Sequence, residues 1–108
     1  MNEATLYISR KISAAHYLPG YEGNCSQMHG HTWKIEVWLR GEVQSNGMVV
    51  DFREVKDVID ELDHKCLNDI LPNPTAENLA MYLLEKVPYC RQVRVWESDD
   101  AYAKVSRE

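Results

Sequence analysis

A chain of 108 residues and 12.5 kDa fits one domain spanning residues 1–108. Its 44% hydrophobic and 27% charged residues are an ordinary globular balance. A net charge of -5 and a pI near 5.3 exclude a general affinity for nucleic acid or an anionic membrane. An anionic small molecule would need a local cationic patch or a metal. No apolar run reaches the ~20 residues of a membrane span, and the first eleven residues carry no apolar signal core. The expectation is a soluble cytoplasmic protein. Three cysteines, an odd number, fit free thiols better than a disulfide framework.

The first strand is expected from Leu6 to Ala14, because Leu6, Ile8, Ile12 and Ala14 share one parity, with His16 continuing it just past the end. Pro19–Asn24 reads as a loop. Trp33, Ile35, Val37 and Leu39 alternate with polar residues in a second strand, although Trp38 interrupts the polar face. Asn46-Gly47 is a turn signal that would close a hairpin into Met48–Val50. Asp51 opens a helix, with Glu54 three residues on as in a capping box and Phe52, Val55, Ile59 and Leu62 as its buried stripe. After a connection over Asp63–Pro74, Thr75 caps a second helix that buries Leu79, Leu83 and Val87 and ends at Pro88. Gln92–Ser98 is a strand with Val93, Val95 and Glu97 on one face, and Tyr102–Ser106 is a last one. This order predicts an α+β fold: an antiparallel four-stranded sheet with two helices on one face. Its open edges favour oligomerisation.

Three of the four histidines, His16, His29 and His31, fall at loop-side strand ends. On an extended backbone, His29 and His31 point to one face about 6–7 Å apart at Cα. If the first two strands are neighbours, His16 completes a set of three. Three neutral imidazoles suit Zn²⁺ and leave its fourth position open, as in a catalytic site. A structural site closed by Cys25 is the rival. Near a dication the Cys25 thiolate is favoured, so it is a candidate base or nucleophile. Cys66 and Cys90 read as packing residues. Asp63-His64 follows the first helix, where a charge near its last carbonyls explains it as readily as proton transfer does. Glu97 ends an apolar row. It either exits to solvent or meets a ligand with two N–H donors, such as the edge of a pterin or guanine.

Read together, Ile12-Ser13-Ala14-Ala15-His16, Cys25-x3-His29-Gly30-His31, Gly47-Met48-Val49-Val50-Asp51-Phe52, Leu62-Asp63-His64 with Leu67-Asn68, Pro74-Thr75-Ala76-Glu77-Asn78 and Val93-x-Val95-x-Glu97 resemble the 6-pyruvoyl-tetrahydropterin synthase / 6-carboxytetrahydropterin synthase family. The resemblance implies the tunnelling fold, in which subunits of a homo-oligomer join their sheets into a barrel. It implies zinc on His16, His29 and His31, and a proton-transferring set of Cys25, Asp63 and His64, the last two supplied by a neighbouring subunit. It makes Glu97 the pterin anchor, supported by Thr75 and Glu77. The family substrate is 7,8-dihydroneopterin triphosphate. The short Cys-x3-His spacing looks like the 6-carboxytetrahydropterin synthase branch, which expels triphosphate and acetaldehyde on the route to queuosine. Other pterin products, or a zinc module that only assembles, are the alternatives. Lys11, Lys34, Arg53 and Lys65 are triphosphate candidates by charge alone.

Overall fold

The computed structural model describes residues 2–23 and 26–107, so Cys25 lies outside the described residues. Strands β1 (Glu3–His16) and β2 (His29–Glu42) are 14 residues each and pair antiparallel along their whole length, from Glu3 opposite Glu42 to His16 opposite His29. At ~3.4 Å per residue such a ladder is about 45 Å long, which accounts for most of the 52 Å long axis. Both strands outrun the span that hydrophobic alternation marked, because pairing continues through their polar ends.

Helix α1 (Phe52–Asp60) starts at Asp51, whose carboxylate accepts the Arg53 N–H at 2.9 Å. The Arg53 guanidinium, not Glu54, closes this cap, with its Nη2 2.8 Å from Asp51. Val55, Ile59 and Leu62 are buried as expected. Phe52 is not: it is 49% exposed, on a rim with Leu6, Met48 and Val50, because the first turn lies past the core. The Asn46-Gly47 turn forms, with Gly47 at φ 84 donating to the Gln44 carbonyl. Met48–Val50 is nevertheless no strand, because the Gln44 side-chain amide takes the Val49 carbonyl at 2.9 Å.

A two-residue strand β3 (Lys65–Cys66) runs parallel to β1 beside Ala14 and Ala15, and a 3-10 turn (Leu67–Asp69) follows. Helix α2 (Ala76–Lys86) is capped by the Thr75 hydroxyl, which accepts the Asn78 N–H, and it leads into β4 (Cys90–Ser98) and β5 (Ala101–Ser106). The sheet order is β3-β1-β2-β4-β5. It thus has five strands where the alternation pattern gave four, and its one parallel pair comes from β3, too short to leave a periodic signal.

Both helices pack on the sheet face that carries Ile8, Ile12, Trp33, Ile35, Val37, Leu39, Val93 and Val95. The opposite face carries Tyr7, Lys11, Lys34, Glu36, Trp38, Arg94 and Trp96. There Glu36, 7% exposed, accepts from Tyr7 Oη and from Trp96 Nε1 at 2.6 Å, and the Arg94 guanidinium stacks over Trp38. The interruption at Trp38 is therefore an aromatic cluster on the polar face. Among the described residues no helix is long and apolar enough to cross a membrane.

Candidate active site

The β1–β2 register builds the centre. His16 ends β1, and His29 opens β2 directly opposite it. His31 is two residues on, so the pleat returns it to the same face. The three ring centroids are 4.6, 4.8 and 5.0 Å apart, and one ligand atom from each ring lies within 4.8 Å of the others. Trp33, next on that face, meets the His16 and His31 rings edge-on at 4.9 and 5.3 Å.

Backbone carbonyls orient two of the rings. His16 Nδ1 donates to the Pro74 carbonyl at 2.8 Å and His29 Nδ1 to that of Gln27 at 2.7 Å, which leaves each Nε2 as the lone-pair nitrogen. Carbonyl-held imidazoles are the usual second layer of a metal site. His16, 1% exposed, and His31 each bury an Nε2 that has no hydrogen-bond partner among the described residues. Two orphaned ring nitrogens at such close range are costly unless a partner such as a cation meets them. Burial pushes the His31 imidazole below its ordinary value; Glu97 opposes this, while His16 and His29 add to it. His31 is thus neutral at pH 7, the state a metal requires. The donor set fits a divalent metal on three nitrogens. A Cβ at Gly30 would meet nothing within 4 Å, on the sheet face opposite the two flanking histidines.

Glu97 does not simply leave for solvent. It extends the Val93–Val95 row to the triad, with Oε2 3.8 Å from His16 Nε2 and a side chain 40% exposed. Asp63 and His64 lie far from His31 in sequence, yet the connection folds back onto β1. The Asp63 carboxylate accepts the Ser13 N–H at 2.8 Å, and the His64 N–H donates to the Ser13 carbonyl at 2.6 Å. His64 and His31 line one open groove of about 630 Å³, with Ala14, Gly30 and Cys66. His64 has φ 59, a strained left-handed conformation for a residue with a Cβ, and its Nδ1 is 3.1 Å from Asp63 Oδ2. The Ser13 N–H and His64 hold the Asp63 carboxyl below its usual range.

The Thr75 hydroxyl caps α2, and so fixes the neighbouring Pro74 carbonyl that holds His16. Glu77 is exposed in the first turn of α2. Cys66 is half-buried in the groove, with Sγ 3.9 Å from Met28 Sδ, which is closer to the site than a plain packing role implies. Cys90 is buried in the core, and burial pushes its thiol up to about 11. Sequence reasoning missed the Pro74 and Gln27 carbonyls and Asn68. Asn68 clamps the residue after His16 by accepting from the Tyr17 N–H and donating to its carbonyl, both at 2.9 Å.

Fold and site together define a class: an α+β sheet protein with three histidines converging at its strand ends, beside a groove bearing a carboxylate-held imidazole. The family model for 6-pyruvoyl tetrahydropterin synthase matches residues 5–108, and the chain belongs to that family of pterin enzymes. It is 40% identical to an Archaeoglobus fulgidus protein provisionally named 6-carboxy-5,6,7,8-tetrahydropterin synthase, over 97% of each chain. It is 45% identical to the dihydroneopterin monophosphate aldolase of Pyrococcus furiosus over 65 residues, 56% of each chain. Among solved structures, the 6-pyruvoyl tetrahydropterin synthase of Caenorhabditis elegans superposes with a TM-score of 0.78 at 27% identity, covering 100% of this chain and 98% of that one. The tunnelling fold expected from the sequence is therefore the fold of this chain.

Proposed function

We propose that this protein is a zinc-dependent lyase that converts 7,8-dihydroneopterin triphosphate to 6-carboxy-5,6,7,8-tetrahydropterin, releasing triphosphate and acetaldehyde, in queuosine biosynthesis in the cytoplasm. The observation that carries the reading is the triad with its two orphaned Nε2 atoms. His16, His29 and His31 would hold the zinc, which when bound supplies Lewis-acid polarisation of the substrate's side-chain oxygens. Asp63 holds Nδ1 of His64 and leaves its Nε2 free to take and return a proton. Cys25 is the second proton carrier. Glu97 accepts the two N–H donors of the pterin edge, with Thr75 and Glu77 as supporting contacts. The β5 edge, and the length of β1 that the two-residue β3 leaves uncovered on the other edge, suit a homo-oligomer. The 82% exposed His64 side chain is free to serve a neighbouring subunit, which supports active sites shared between chains.

The product assignment follows the Archaeoglobus relative, which matches along the whole chain. The aldolase relative, more identical over a shorter stretch, favours a second reading with a hydroxymethyl-dihydropterin product. Incubation with dihydroneopterin triphosphate and, separately, with the monophosphate, followed by mass spectrometry, separates the two. The expected result is 6-carboxytetrahydropterin and acetaldehyde from the triphosphate. Hydroxymethyl-dihydropterin from the monophosphate would replace this reading with the second, and no turnover by fully zinc-loaded protein would leave an assembly module.

A further inference from the structure

We propose that the sheet face opposite the histidines carries a binding site for a phosphate-bearing small anion, built by Lys11, Lys34 and Thr32 against Trp96. The β1–β2 register sets Lys11 directly across from Lys34, and the β2–β4 register sets Lys34 across from Trp96. Like charges directly opposite one another on a sheet face destabilise it. Both lysines are exposed, and neither has a carboxylate within 4.0 Å among the described residues. The nearby Glu36 feels the charge of Lys34 but makes no ion pair with it within 4.0 Å, and its oxygens are taken by Tyr7 and Trp96 Nε1 with Arg94 close by. In a chain of net charge -5, two ammonium groups set side by side with no close ion pair among the described residues are out of character.

These residues line a cavity of about 280 Å³ together with Ser98 and Asp99, and the Asp100 carboxylate accepts from Ser98 at its rim. That is room for on the order of ten waters, at ~30 Å³ each, and suits a phosphate chain rather than a macromolecule. The wall is pre-set: the Trp96 indole is tied to Glu36 and packs against Tyr102 with centroids 4.5 Å apart. Two ammonium groups and the Thr32 hydroxyl then converge as donors, the chemistry that phosphate oxygens accept, while Ser98 Oγ donates to Asp100 Oδ1 at 2.8 Å. Of the other cations considered for the triphosphate, Arg53 is spent on Asp51, while Lys65 lines the groove. Thr32 lines both the cavity and the groove of His31 and His64, so the two adjoin at that residue. The anion is either the substrate's own phosphate tail or a separate phosphoanion.

The test is calorimetric titration of inorganic tripolyphosphate into the unaltered protein, Lys11→Gln/Lys34→Gln, His29→Ala and, as a control far from the cavity, Lys86→Gln. Affinity should fall about tenfold or more in the double lysine variant, on the scale of two charge-assisted contacts, and stay within about twofold in Lys86→Gln, as for a surface charge. Binding that survives in His29→Ala separates the lysine site from any metal-held anion, so the titration stands whether or not the lyase reading does. Loss in His29→Ala with full retention in the double lysine variant, or no saturable binding at all, overturns the proposal. A titration with dihydroneopterin triphosphate then identifies the source. If the double lysine variant weakens it but not phosphate-free dihydroneopterin, the site holds the substrate's tail. If its affinity ignores the lysines, the site serves a separate phosphoanion.

Discussion

Replacing His31 by leucine should reverse sign with metal. In metal-free protein the buried His31 Nε2 has no hydrogen-bond partner among the described residues. An unmet buried polar atom costs about 1–3 kcal/mol, and leucine of similar size removes it. Metal-free His31→Leu should therefore equal or exceed the unaltered protein in stability, by up to about 3 kcal/mol. At roughly 4 °C or more of melting temperature per kcal/mol for a chain of this size, the gain is readable in a thermal scan. With zinc the order inverts. A ligand at 1,000 times its Kd stabilises by about 4 kcal/mol, and only the intact triad collects it in full. The assay is a pair of melts at one protomer concentration, with chelator and with excess zinc. If His31→Leu is the less stable protein in chelator, or if zinc raises both melting temperatures equally, the orphaned nitrogen is not what the triad is built around.

Cys25→Ala should keep zinc and lose turnover, whereas Cys66→Ala and Cys90→Ala stay active; metal analysis beside a product assay checks all three. With its thiol near 11, Cys90 should resist alkylation at pH 8, where roughly one part in a thousand is thiolate, while Cys66 reacts; peptide mapping reads this directly. Glu97→Gln should weaken pterin binding by about tenfold to a few hundredfold, on the scale of ~1.5–3 kcal/mol per charge-assisted bond, at unchanged zinc content; calorimetry decides. Burial pushes the Glu36 carboxyl up, but hydrogen bonds from Tyr7 and Trp96 and the charges of Lys34 and Arg94 hold it, on balance, below 4.5. The stability this gives is present above that value and is lost as pH falls through the folded-state value, so the deficit of Glu36→Gln in chemical denaturation should shrink in acid. Mixing inactive Cys25→Ala with inactive His64→Ala under subunit exchange should restore activity where sites are shared, and none if one chain supplies both groups.

The features legible in the sequence were those carried by periodicity. The alternation around Trp33–Leu39 gave β2 and its buried face, and parity set His29 with His31 and Glu97 with Val93 and Val95, whereas bringing His16 to them waited on the β1–β2 pairing. Asp51 and Thr75 marked both helix starts, because caps are local chemistry. What escaped depends on backbone groups that meet only after folding. Nothing in Pro74 or Gln27 announces that their carbonyls orient His16 and His29. Asp63-His64 reads as a helix end, and only its hydrogen bonds to Ser13 carry it to the groove. Phe52 fits the helical period yet sits outside the core, since a period cannot tell where a helix overhangs its sheet. Met48–Val50 has strand composition but loses its backbone acceptor to a side chain.

The pairing of His16 with His29 also governs where this chain can change in length. The connection from Tyr17 to Met28 leaves and re-enters at two residues held opposite each other by the β1–β2 ladder. Doubling such a loop costs only about 0.6 kcal/mol and moves neither histidine. One residue inserted within either strand would instead turn every side chain beyond it to the other face and break the triad. Insertions in that connection are thus nearly free, while the frame beneath it tolerates none, so a lineage can lengthen or shorten it without disturbing the three histidines.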